Sequence, residues 1–367
     1  MIRVGMVGLG KMGLSHHALF NAHPGVSVAG VCDSSRYVLS VLGRYTEVET
    51  YSDYEEMLEE ARLDAVVIAT PSRAHTSMVA AALERGLHVF CEKPLTLDPG
   101  ESEGLAETAA ERALATQVGY HNRFVATFRE VKKLLGAGAL GELHQVTGEA
   151  YGPVILKSQG RTWRSQRTEG GGCLYDYAAH VINLINWYCG TPEAIGGTAL
   201  PSLFSRDTDD AALSTLYFGN GLTGQLNVNW SDESYRKMTT RITLRGSNGR
   251  IYADRQEIQV YLRDAGGAPD GYGQGWNVRY TTELTPPVWF YLRGEEYSEQ
   301  VDSFVKRASN GATEGVNDFA SAAQTDRTIA MMVADAARSP STEHAHEDGE
   351  TATPKRRRRL LARRSSA

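Results

Sequence analysis

Apolar residues in the first hundred positions fall into short runs separated by stretches of helical spacing. Ile2-Arg3-Val4-Gly5-Met6-Val7, Val26 to Cys32, Ala65 to Thr70 and His88 to Cys91 read as buried strands, with a shorter one near Glu49-Thr50-Tyr51. Amphipathic segments fill the intervals. One runs from the glycines after Val7 to about Ala22, one ends at Glu60 with Ser52 and Glu55 placed for a capping box, and one runs from His75 to Arg85 with Gly86 closing it. Asp98-Pro99-Gly100-Glu101 supplies an N-cap, a first-turn proline and an acidic third position for a helix to about Ala113. Strands alternating with helices predict a parallel, doubly wound α/β sheet.

After a helix from Val125 to Leu135 the period changes. Leu143 to Tyr151 reads as a strand, Gln225 to Trp230 alternates with period two, and Asn248-Gly249 marks a hairpin turn. With helices near Glu296 to Ser309 and Asp318 to Ser339, this part predicts an α+β unit with an open, mostly antiparallel sheet. The expected division is 1–122, a dinucleotide-binding unit; 123–340, a substrate-binding and oligomerisation unit; and 341–367, a tail. An open sheet needs cover on its second face, so a homo-oligomer is expected. The glycine-rich stretch Ala265 to Asn277 reads as a loop and a candidate lid.

Composition narrows the function. With 41% hydrophobic and 22% charged residues the chain is an ordinary globular protein, and no apolar run reaches the length of a membrane span. Strand-forming residues from position 2 leave no space for a signal peptide, so a cytoplasmic location is expected, with four reduced cysteines and no metal site. The formal charge of -6 is unevenly spread. From Ser341 to Ala367 there are seven Lys/Arg and four Asp/Glu, which leaves 31 basic and 40 acidic residues, net -9, in the rest. A body that acidic does not suit nucleic acid, and the run Lys355 to Arg359 belongs to a Ser/Thr/Glu/Ala-rich segment expected to be disordered.

The chemistry concentrates at strand ends. Gly8-Leu9-Gly10-Lys11-Met12-Gly13 follows the first strand and opens a helix, the context in which Gly-x-Gly-x-x-Gly binds a pyrophosphate on backbone N–H groups. Asp33 ends the second strand, 20 positions after Gly13, where a carboxylate accepts hydrogen bonds from the ribose hydroxyls of NAD. Arg36 is near enough to pair with a 2'-phosphate, which keeps NADP open. Thr70, Pro71, His75 and Glu92-Lys93-Pro94 fall at the same edge and are further cofactor-site candidates. In the second half, Gly170-Gly171-Gly172 precedes a predicted helix on which Asp176 and His180, four residues apart, share one exposed stripe continued by Asn183 and Trp187. Trp163 and Arg164, just before the glycines, are candidates to line a substrate pocket.

These motifs, with Tyr120-His121-Asn122-Arg123-Phe124, resemble the glucose-fructose oxidoreductase / inositol dehydrogenase / rhizopine catabolism (Gfo/Idh/MocA) family over roughly residues 1 to 338. The resemblance implies a Rossmann domain and an NAD(P)-dependent sugar or cyclitol oxidoreductase in which Lys93, Asp176 and His180 occupy the catalytic positions. Tyr120, Asn122, Arg123, Trp163 and Arg164 join those three as expected substrate-binding residues. Ala178 stands where many members have glycine, and Asn183 where many have aspartate. The expected chemistry is hydride transfer with His180 as base, its pKa near neutrality, Lys93 as cation and Asp176 as orienting group. NAD-dependent glycoside cleavage and dinucleotide sensing without catalysis are the alternatives. The presence of all three polar groups argues against a sensor.

Overall fold

The computed structural model describes residues 1–157 and 162–338. Its first sheet contains β1 (Ile2–Val7), β2 (Val26–Cys32), β3 (Glu49–Tyr51), β4 (Ala65–Ile68), β5 (His88–Cys91) and β6 (Thr116–Val118), in the spatial order β3-β2-β1-β4-β5-β6 and parallel throughout. The helices between them are α1 (Lys11–Ala22), α2 (Arg36–Tyr45), α3 (Tyr54–Glu60), α4 (His75–Glu84) and α5 (Pro99–Glu111). Both faces of β4 are sealed, which explains its unbroken Ala-Val-Val-Ile run. The expected cap of α5 forms, with Asp98 accepting from the amides of Gly100 and Glu101. That of α3 does not: Asp53, not Ser52, accepts from the Glu56 amide, one residue later than the capping-box reading.

The second sheet follows α6 (Ala126–Gly136) and surrounds α7 (Ala179–Cys189) in sequence. It comprises β7 (Leu143–Tyr151), β8 (Ala194–Ala199), β9 (Ala211–Tyr217), β10 (Thr223–Asn229), β11 (Arg241–Gly246), β12 (Gly249–Asp254), β13 (Glu257–Leu262) and β14 (Gly275–Tyr280), in the order β14-β13-β12-β11-β7-β10-β9-β8. It is antiparallel except where β10 pairs with β7. The hairpin between β11 and β12 closes on the pair Gly246 and Gly249, so its two-residue loop is Ser247-Asn248. The chain ends with α8 (Thr281–Leu284), α9 (Glu295–Asn310) and α10 (Phe319–Arg338). None of these helices is long and apolar enough to cross a membrane.

Packing does not respect a boundary at residue 122. From α9, Val301, Phe304 and Val305 join Val4, Phe20 and Phe90 in the core on one face of the first sheet. α10 lies along α5 and α7, and Phe319, Ile329 and Met332 belong to a core that runs from Val66 through Val181 to Ile242. The late helices return to complete the first unit, and the second core is continuous between the sheets. The expected lid is also pinned. Gly275 already begins β14, and buried Tyr272 donates its hydroxyl to Glu130 on α6 at 3.1 Å. The predicted tail lies outside the described residues.

Candidate active site

Strand order reverses around β1, which has β2 on one side and β4 on the other, and such reversals open a crevice at the carboxyl ends. Gly8, at φ +83°, turns there, and Gly13 packs so closely that a Cβ would lie 1.7 Å from the Gly8 oxygen. Gly10 differs: a Cβ would meet nothing within 4 Å. The start of α1 has no side-chain cap, so the first-turn amides around exposed Lys11, half-buried Met12 and Gly13 are left for an anion. Asp33 is fixed beside them, accepting from the Leu9 amide at 2.6 Å and the Ser35 amide at 2.7 Å. Arg36 begins α2, exposed, on the same rim. Open backbone, free amides and an anchored carboxylate fit a dinucleotide.

Three residues of that edge face other ways. His75 is fully buried, with Nδ1 2.9 Å from the Pro94 oxygen and Nε2 3.0 Å from the Thr70 oxygen. Burial favours the neutral ring, whose single N–H donates to one of these two carbonyls, so His75 is packed between the end of β4 and the turn after Lys93. Glu92 accepts from His16 Nε2 at 2.6 Å and from the Lys93 amide at 3.2 Å, which pins α1 to the end of β5. Burial would raise the Glu92 carboxyl, but His16 and Lys93 outweigh it and hold it below the usual range. Thr70 presents its hydroxyl to Met78 Sδ at 3.7 Å, and Pro71 stays exposed on the rim.

Lys93 leaves β5 and reaches across to the segment before α7. Its Nζ donates to Asp176 Oδ1 at 2.6 Å and to the Asp176 carbonyl at 3.0 Å. Residues Leu174–Ala178 wind as a π-helical turn, wider than the α-helix the spacing predicts, and Asp176 sits in its middle. Arg164 Nε donates to Asp176 Oδ2 at 3.1 Å while its guanidinium lies over the Trp163 ring, 4.4 Å from the centroid. Burial alone would raise the Asp176 carboxyl; Lys93 and then Arg164 more than reverse this, and the net shift is downward. Behind Lys93, buried Asp326 of α10 holds the following loop through the Ser102 hydroxyl and the Thr96 amide, and burial pushes its carboxyl up to about 7.

His180 lies within reach of the Lys93 charge, on a helix whose faces are nearly all covered. Residues Ala179 to Asn186 are buried, so of the stripe expected from the spacing His180 and Asn183 are covered while Asp176 and Trp187 stay half-buried. The His180 ring meets Tyr120 edge-on at 5.8 Å and His121 at 4.8 Å. Burial, then Lys93 and Arg255, drive its pKa well below the ordinary imidazole value, not near neutrality. Asn183 donates to Thr325 Oγ1 at 3.1 Å, away from Lys93.

The Tyr120 to Phe124 segment divides by role. Tyr120 is buried beneath His180. Asn122 Oδ1 accepts from Arg255 at 3.1 Å. Arg123 turns from the cleft: it donates to the Asn183 carbonyl at 3.0 Å and Ser321 Oγ at 3.3 Å and lies over Trp187, so its charge joins helices instead of meeting substrate. Burial lowers its pKa to about 10. Arg255, beyond β12, was not foreseen. It bonds His121 Nε2 at 3.1 Å and pairs with Glu296 of α9. Because a guanidinium only donates, the His121 proton belongs on Nδ1. His121 was visible within the Tyr120 motif, whereas a lone arginine in Asp254-Arg255-Gln256-Glu257 carries no sequence signal.

Fold and site together define an NAD-binding oxidoreductase. Residues 2–120 match the model of the oxidoreductase family with an NAD-binding Rossmann fold, and 128–252 match the GFO/IDH/MocA C-terminal domain; the chain belongs to the Gfo/Idh/MocA family. It is 27% identical to rhizopine catabolism protein MocA of Rhizobium meliloti, covering 91% of this chain and 93% of that one. It is also 27% identical to the scyllo-inositol 2-dehydrogenase (NAD(+)) of Bacillus subtilis, covering 92% and 93%. A solved levoglucosan dehydrogenase, in complex with NADH and levoglucosan, has the same fold at TM-score 0.80 and 22% identity, covering 92% and 97%.

The glycines separate turn geometry from ligand contact. Gly13→Ala should lower the melting temperature, since its methyl meets the Gly8 oxygen. Gly10→Ala should melt like wild type yet bind NADH about tenfold or more weakly, as for loss of one charge-assisted hydrogen bond. Thermal melts and NADH fluorescence titrations check both; wild-type affinity in Gly10→Ala would place the pyrophosphate elsewhere.

Proposed function

We propose that the enzyme oxidises a secondary hydroxyl of a sugar, nucleotide sugar or cyclitol, or reduces the corresponding ketone. The observation that carries this is the Lys93–Asp176 pair set beside a neutral imidazole, at the strand edge that also bears the glycine loop. The names of the relatives, an inositol dehydrogenase and a levoglucosan dehydrogenase among them, support a polyol substrate. Bound NAD supplies the hydride acceptor, held by Gly8, Gly10, Gly13 and Asp33.

The protein's part is proton and charge management. Removing hydride from a neutral alcohol leaves positive charge on the carbinol carbon unless the hydroxyl proton departs too, and in this reading neutral His180 takes it. Lys93 stabilises the negative charge that develops on oxygen, and a preorganised cation in a dry site supplies several kcal/mol. Asp176 fixes the ammonium by two hydrogen bonds, and Arg164 holds the far oxygen of that carboxylate. Around them His121 packs against His180, Asn122 accepts from Arg255, and Arg164 lies over half-exposed Trp163 while holding Asp176.

The open face of the second sheet supports a homo-oligomer. Tyr261 and Trp276 pair across β13 and β14 with ring centroids 5.3 Å apart, and Trp276, Val278 and Tyr280 remain exposed. A second copy of this sheet, apolar against apolar, is the occupant that suits such a face.

Lys93→Met should reduce turnover by about 10² to 10³ while leaving NADH affinity close to wild type. His180→Ala should lose about 10² or more. Since burial and two cations depress His180, the acid limb of the wild-type pH–rate profile should lie below about 6.5. Lys93→Met removes one of those cations, so the His180 pKa should rise, which an NMR titration of the imidazole protons reads directly. Wild-type turnover in His180→Ala would move the base to another group. For the cofactor, Asp33→Ser should weaken NAD and relatively favour NADP; tighter NADPH than NADH binding by wild type would overturn this reading of Asp33. For assembly, light scattering should give a multiple of the 40.1 kDa chain, reduced by Trp276→Glu; a monomeric wild type would refute the oligomer.

A further inference from the structure

Asp209, outside every motif that marks the site, touches the backbone that carries Asp176. It sits just before β9, only 4% exposed. Its carbonyl accepts from the Cys173 amide at 2.9 Å and its Oδ2 accepts from the Leu174 amide at 2.6 Å. One residue thereby takes the first two N–H groups of the segment that becomes the π-helical turn and then α7, amides a helix leaves unpaired. Gly172, at φ +113°, makes the approach possible: a Cβ there would lie 2.5 Å from Asp209 Oδ1.

Asp209 is itself held. Neighbouring Asp210 accepts from the Trp230 indole at 2.8 Å and from the amides of Leu203, Phe204 and Ser205, and the Asp210 carbonyl accepts from the Trp230 amide. The anchor is a buried knot where β9 begins and β10 ends. A single π turn is a rare departure from the α-helix that frequently marks functional sites. Here it sets where both oxygens bonded by Lys93 lie, the Asp176 carboxylate and the Asp176 carbonyl.

We infer that Asp209 is a positioning residue for hydride transfer: it locks the π turn at Leu174–Ala178 and so fixes the Lys93–Asp176 pair. This rests on the proposed role of that pair. It makes Gly172 and Asp209 one device, a glycine that admits a carboxylate and a carboxylate that stops the turn from relaxing into a regular helix.

The test is a double-mutant cycle on the full chain, with NAD and whichever of scyllo-inositol, myo-inositol or levoglucosan is turned over fastest. Asp209→Ala should lower kcat by roughly tenfold to a hundredfold, the scale of a misplaced catalytic group, with NADH affinity unchanged at temperatures where the variant is folded. Asp209→Asn keeps an oxygen for the Leu174 amide and should recover most of that loss. In a Lys93→Met background, Asp209→Ala should cost little more, because the group it positions is gone. Wild-type kcat in folded Asp209→Ala, or a full additional loss in the Lys93→Met background, overturns the inference. Wild-type kcat in Lys93→Met would instead overturn the role of the pair. If Asp209→Ala does not fold, Asp209→Ser replaces it, with the same loss expected and wild-type kcat again decisive.

Discussion

The Lys93–Asp176 ion pair joins residues 83 positions apart, and much of the architecture serves to make it possible. An ammonium and a carboxylate, each nearly nine-tenths buried, stay charged only if each finds its partner in place. Removing one member of such a pair typically costs about 3–5 kcal/mol, because the other is left buried and unmatched. Arg164 moderates that cost by sharing the carboxylate from its second oxygen. Everything around the pair fixes one end or the other. Glu92, His75 and Asp326 hold the turn that bears Lys93, and the glycines at 170–172 admit the backbone and carboxylate that hold Asp176.

The charge logic of the site follows from this placement. Burial first, then the nearby positive charges of Lys93 and Arg255, drives both His121 and His180 toward the neutral form. A cationic pair of histidines there would repel the Lys93 ammonium and leave neither ring a lone pair to accept a proton. In the proposed reaction a neutral His180 beside a fixed ammonium divides the labour: one group accepts a proton, and the other stays charged. Arg255 adds the tautomer of His121, and its own charge is balanced by Glu296, so the late helix α9 contributes to electrostatics as well as to the core.

The continuity of packing between the two sheets explains why the site can be so exacting. α7 is buried on nearly all sides, α10 touches both α5 and α7, and the core beneath them is unbroken. Close-packed interiors do not yield continuously, so the distance between the end of β5 and the π turn is set by the whole interface. The first unit supplies Lys93 and the dinucleotide cleft, the second supplies Asp176 and His180, and the last two helices hold one against the other.

The sequence alone determined whatever depends on local pattern. Strand runs, the glycine loop, Asp33 and the Asp98 cap follow from alternation, spacing and backbone freedom, and the motifs around Lys93, Asp176 and His180 carried the family resemblance. Tertiary structure decided what depends on neighbours distant in sequence. It moved the α3 cap from Ser52 to Asp53, covered His180 and Asn183 of the predicted exposed stripe and made Arg123 and His75 braces. It also pinned the supposed lid through Tyr272 and brought in Arg255 and Asp209. A side chain's type limits which bonds it can make, but its partners are chosen by packing. A buried arginine between two helices and an arginine facing a substrate are the same letter in the chain, and only the fold says where the guanidinium finds its acceptors.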